Sequence, residues 1–105
     1  MNNIAKFDEI NNLLLIYGEL LTEKQRIISD SYFKYNLSLQ EIAADQKISK
    51  QAVSDTIETV IKKLEKYEKT LKFSLKIDNI VKKIKDLDLS DEEKAKIEEV
   101  IYNGI

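Results

Sequence analysis

Ser38 to Glu58 reads SLQEIAADQKISKQAVSDTIE, and its spacing decides the fold. Ser38 followed three residues later by Glu41 is a capping box, in which each side chain accepts from the other residue's amide, so a short helix starts at Leu39. Leu39, Ile42 and Ala43 fall on its inward side. After a tight connection at Gln46 and Lys47, Ile48 returns to the core and Ser49 caps a second helix beginning at Lys50. Two helices crossing this closely need a small residue between them, an apolar residue in the turn and apolar residues on the second helix, which is the pattern of a helix-turn-helix. Ala43, Ile48 and Val53 hold those three scaffold positions. A larger side chain at 43 would push the helices apart, and a polar one at 48 or 53 would be buried without a partner. Lys47 stands where such turns usually hold glycine, because the backbone there is left-handed; a side chain at that position costs on the order of 1 kcal/mol.

Ser49, Lys50, Gln51, Ser54, Asp55 and Glu58 remain outward on the second helix. In helix-turn-helix docking the N-terminal part of that helix enters the major groove, so Lys50, Gln51 and Ser54 approach base edges. Gln51 can pair bidentately with adenine, and Lys50 can reach guanine or a phosphate. Ser38 and Gln40, at the start of the preceding helix, can offer amides and side-chain donors to phosphate oxygens. The plainer role of Ser38 and Ser49 is capping, to which a DNA contact would be added.

Working outward, Ile4, Phe7, Ile10, Leu14 and Tyr17 line one face of a helix over about Ile4 to Leu21, widened by Leu13, Leu20 and Leu21. Thr22 with Gln25 forms another capping box, and Ile27, Ile28, Ser31 and Tyr32 are expected on the buried side of the helix it opens. From Lys50 to about Phe73 no strong breaker interrupts a stripe of Val53, Ile57, Val60 or Ile61, Leu64, Tyr67 and Leu71. A basic amphipathic segment follows with Phe73, Ile77, Ile80, Val81, Ile84 and Leu87 at near-heptad spacing. Ser90 and Glu93 open a last helix bearing Ile97, Val100 and Ile101, which Asn103 and Gly104 end. The expected organisation is a single all-α domain over 1–105, with a helix-turn-helix core at about 22–72 and a C-terminal helical extension at 73–105.

Composition agrees. There is no proline, there are only two glycines, and 34% of the 105 residues are charged, which suits long amphipathic helices. Cysteine and histidine are absent, so thiolate metal sites, disulfides and His- or Cys-based catalysis are excluded, and no glycine-rich phosphate loop exists. We expect no enzyme, no cofactor and no metal. The stretch Met1 to Leu21 lacks the pattern of a signal peptide, and Leu13 to Tyr17 is far short of the ~20 apolar residues of a membrane span. A cytoplasmic protein with no membrane partner is expected.

The run LLTEKQRIISDSYFKYNLSLQEIAADQKISKQAVSDTIETVIKKLEKYE, Leu20 to Glu68, resembles region 4 of sigma factors and, more closely, the YlxM-type family of small bacterial helix-turn-helix proteins. ISKQAVSD looks like that family's central signature, with Lys50 where arginine is commoner, and LLLIYGELLTEKQR fits its opening. The resemblance covers about two-thirds of the chain; beyond Tyr67 it is one of length and helical character only. It implies a sigma-region-4-like, winged-helix-type three-helical bundle that binds DNA, and a regulatory role connected with the signal recognition particle pathway.

Charge opposes the simplest form of that expectation. The net charge is −2 and the pI about 5.2, whereas nucleic-acid-binding domains commonly have a pI above about 9. Asp55 and Glu58 flank the readout positions and repel phosphate, so one copy is expected to bind weakly. A homodimer would double the phosphate contacts and match a two-fold site, and the apolar stripes after Val60 offer a surface for pairing. The alternative is a module of the same fold that binds a protein or RNA of the signal recognition particle pathway with little DNA binding.

Overall fold

A computed structural model describes residues 3–103, with side chains from Lys6 onward; Gly104, expected to help end the last helix, and the side chain of Ile4, expected on the inward face of the first, lie outside the described residues. The described residues form helices and no strands: α1 (Asn3–Tyr17), a 3-10 turn (Gly18–Leu20), α2 (Glu23–Ser29) running into a π turn (Asp30–Lys34), α3 (Leu39–Gln46), α4 (Lys50–Leu71), α5 (Phe73–Lys85) and α6 (Asp91–Asn103).

Local chemistry sets the starts. The Thr22 hydroxyl accepts from the Gln25 amide at 3.2 Å while the Thr22 amide donates to Gln25 Oε1 at 3.1 Å. Ser38 with Glu41 and Ser90 with Glu93 repeat the reciprocal pair at α3 and α6. Each box satisfies amides that a helix start leaves without partners.

Packing centres on α4, which lies against α1, α2 and α3. Val53, Ile57, Val60 and Leu64 of α4 are buried against Ile10, Leu13, Leu14 and Tyr17 of α1, together with Ile28, Phe33, Ile42 and Ala43. Phe7, Tyr32 and Phe33 form an aromatic cluster with ring centroids 5.0–5.3 Å apart, tying α1 to the π turn.

Several sequence expectations are corrected. Helix α1 ends at Tyr17 rather than near Leu21; the chain tightens into the 3-10 turn, which leaves Leu20 exposed while Leu21 turns into the core. After α2 the Tyr35 amide reaches back five residues to the Asp30 carbonyl (3.0 Å), a π-type bond that widens the turn. The inward set is consequently Ile28, Ser29 and Phe33, with Ser31 and Tyr32 only half-buried and Ile27 exposed. Ser29 is tolerated in the core because its hydroxyl donates to the Gln25 carbonyl at 2.7 Å. Helix α4 stops at Leu71, because Lys72 takes a left-handed conformation (φ 56°).

At that bend Tyr17 and Glu68 do the joining. The Tyr17 hydroxyl donates to Glu68 Oε1 at 2.7 Å and accepts from the Phe73 amide at 3.1 Å, while Glu68 also takes the Ser74 and Leu75 amides. A carboxylate of one helix thus caps the next. The α5–α6 hairpin beyond it is thinly packed: Ile84 is the one buried residue described in α5, and α6 has none.

Candidate nucleic-acid interface

The outward side of the α3–α4 corner is built as follows. Ala43 is buried at the crossing, and its carbonyl accepts from the Ile48 amide at 3.1 Å, closing the turn. Lys47 sits between them at φ 57° and ψ 44°, the left-handed conformation expected of the turn residue. Ile48 packs half-buried on the core and Val53 is fully buried. Ser49 accepts from the Ala52 amide at 3.0 Å and starts α4.

This places Ser49, Lys50, Gln51 and Asp55 exposed along the first turns of α4, and Ser54 beside them half-buried. Ser38 and Gln40 are exposed at the start of α3. The Ser38 amide is occupied by Glu41, so the first-turn amides of Leu39 and Gln40 are those left facing outward without an intrahelical acceptor. The amide of Ser38 and its hydroxyl hold the Glu41 carboxyl below the usual carboxylate range.

Gln51 Nε2 donates to Asp55 Oδ1 at 2.9 Å, which orients the Gln51 amide and leaves its carbonyl oxygen and second N–H outward. Glu58 pairs with Lys62 at 3.2 Å. Lys62 thus offsets the charge of Glu58, whereas Asp55, bonded to a neutral amide, keeps its full negative charge beside Lys50 and Gln51. Lys50 makes no ion pair or hydrogen bond among the described residues.

Sequence spacing missed the groove beside this face. A cleft of about 330 Å³ is lined by Thr22, Lys24 and Gln25 at the start of α2 and by Asp55, Thr56 and Thr59 of α4. Lys63 donates to Oε1 of the lining residue Gln25 at 3.2 Å. The cleft shares Asp55 with the readout face, so the polar surface runs from α4 onto α2. It depends on the packing of α2 against α4, which no local motif reveals.

Among the described residues no helix is long and apolar enough to cross a membrane. A family described as "Putative helix-turn-helix protein, YlxM / p13 like" matches residues 4–101. A UPF0122 protein of Fusobacterium nucleatum is 42% identical over 100 residues, spanning 95% of this chain and 96% of its own. One from Malacoplasma penetrans is 39% identical over 87 residues, 80% of this chain and 81% of that one. A Clostridium perfringens UPF0122 protein is 47% identical over 70 residues, 67% of this chain and 62% of its own. No solved structure matches. With the α3–α4 corner in place and the match running nearly end to end, the chain belongs to the YlxM/p13-like helix-turn-helix family.

Proposed function

We propose that this protein binds DNA by seating the first turns of α4 in the major groove, and that regulation follows from that binding. The observation that carries this is the exposed, unpaired Lys50 beside a Gln51 whose amide Asp55 holds in one orientation. Lys50 and Gln51 meet bases, Ser54 and Ser49 stand at the groove wall, and Asp55 acts through Gln51. Ser38 and Gln40, with the first-turn amides of α3, take a phosphate on the flanking strand. Lys24 and Lys63 border the cleft and extend the phosphate track onto α2. The protein works as a homodimer in the cytoplasm, since one copy presents few cations to the backbone. It uses no cofactor, no metal and no catalytic residue.

An electrophoretic shift series across salt concentration tests this. Affinity falls with salt, and Lys50→Ala with Gln51→Ala costs about 1–3 kcal/mol for each base that goes unread. An affinity indifferent to salt and to both substitutions contradicts the reading.

The net charge of −2 favours a second reading, a module for a protein or structured RNA of the signal recognition particle pathway. Capture from cytoplasmic extract before and after nuclease separates the two: a partner kept after nuclease treatment supports the second.

A further inference from the structure

We propose that the α5–α6 hairpin pairs with the same hairpin of a second copy of this chain, α5 of each copy lying against α6 of the other. This rests on the reading that two copies act together and names the surface by which they do so.

Surface area comes first. The chain exposes 7535 Å² and measures 54 × 29 × 26 Å, whereas a compact chain of its mass exposes about 6,100 Å². The excess exceeds the ~800 Å² that each partner contributes to a standard interface. On the hairpin Ile80, Leu87, Ile97 and Val100 are exposed, Val100 at 72%.

The exposed apolar residues form stripes of their own. On α5, Ile77, Val81 and Ile84 are the less exposed set, and a neighbouring stripe of Lys76, Ile80, Lys83 and Leu87 runs at four-, three- and four-residue steps into the loop. On α6, Glu93, Ile97 and Val100 repeat the spacing, while the less exposed side carries Lys94, Glu98 and Ile101. Each helix therefore presents an apolar stripe punctuated by charge, lysine on one and carboxylate on the other.

Charge selects the occupant. Phe73–Lys85 holds four lysines against one carboxylate, and 86–103 holds seven carboxylates against two lysines. None of Lys76, Lys82, Lys83 and Lys85 makes an ion pair among the described residues. A purely acidic or purely basic partner matches only half of this hairpin. A second copy related by a two-fold axis matches both halves at once, because α5 meets the partner's α6 twice.

Analytical ultracentrifugation of the full chain without DNA tests the pairing. One variant carries Lys76→Glu with Lys83→Glu, both on the α5 stripe; the other carries Glu92→Lys with Glu99→Lys, both exposed on α6, Glu93 being kept for its cap on Ser90. Each alone faces like charge at both seams and self-associates at least about tenfold more weakly than the parent, whereas an equal mixture forms the heterodimer. Because charge reversal can also disturb the hairpin itself, Ile80→Ser with Val100→Ser, both at exposed positions, is the second probe and equally weakens self-association. Circular dichroism verifies retained helix in every variant. A parent that dimerises undisturbed by all of these substitutions, or variants that stay apart when mixed, overturns this surface and leaves the dimer reading standing. A parent that stays monomeric throughout overturns both. Lys50→Ala with Gln51→Ala dimerises like the parent, so failure of DNA binding is read separately.

Discussion

Lys47 bears a side chain in the left-handed region, as do Asn36 and Lys72. Replacing Lys47 with glycine removes that cost without touching the core, so Lys47→Gly is expected to raise unfolding free energy in urea by up to about 1 kcal/mol. At Ala43 the reverse holds: Ala43→Leu overfills the α3–α4 crossing and lowers stability by about 1–3 kcal/mol in the same measurement. The carboxyls of Glu41 and Glu93 are held below their usual range, first by the Ser38 and Ser90 amides and then by the hydroxyls. Their stabilisation is present above the ordinary carboxylate pKa and is lost as pH falls through the lowered value. Thermal melts of Glu41→Gln with Glu93→Gln should therefore lose less between pH 7 and strong acid than the parent does. The capping boxes and the left-handed lysine are legible in sequence because each is a local device with fixed spacing. The Gln51–Asp55 bond is not, because in sequence Asp55 reads only as a charge facing phosphate.

Between elements, the bend from α4 to α5 rests on Tyr17 and Glu68. Tyr17→Phe removes the hydroxyl that both donates to Glu68 and receives the Phe73 amide, and is expected to cost about 1–3 kcal/mol. Burial, then Glu68, pushes the Tyr17 phenol up from its ordinary value. The neutral phenol is favoured by folding, so its contribution is full below about pH 10 and declines as pH rises through the raised value. Melts at neutral and alkaline pH check both points: Tyr17→Phe is less stable at neutrality and shows a shallower alkaline decline. This joint is invisible in sequence, since its partners are 51 and 56 residues apart along the chain. Periodicity likewise misplaces the α2 face, because a π turn shifts the register and Phe33 replaces Ile27 as the buried anchor.

For the whole molecule, the distribution of charge matters more than its total. Residues 22–72 hold ten cations against eight carboxylates, while 73–105 hold six against eight, so the stretch carrying α2 to α4 is slightly basic and the net acidity lies outside it. The acidic pI of the undivided chain therefore weighs less against DNA than it does at first sight, and Lys62 offsets Glu58 along α4. The hairpin is legible in sequence as amphipathic helices whose stripes offer a pairing surface, but which of their apolar residues stay exposed is not, because burial depends on what the rest of the chain leaves uncovered. The most direct test of groove readout by α4 is selection of bound sequences from a random DNA pool, run in parallel with the parent chain and Lys50→Ala with Gln51→Ala. The parent is expected to enrich one motif in two-fold half-sites and the variant to lose it; a pool that enriches no sequence, or the same sequence with both proteins, would contradict groove readout by α4.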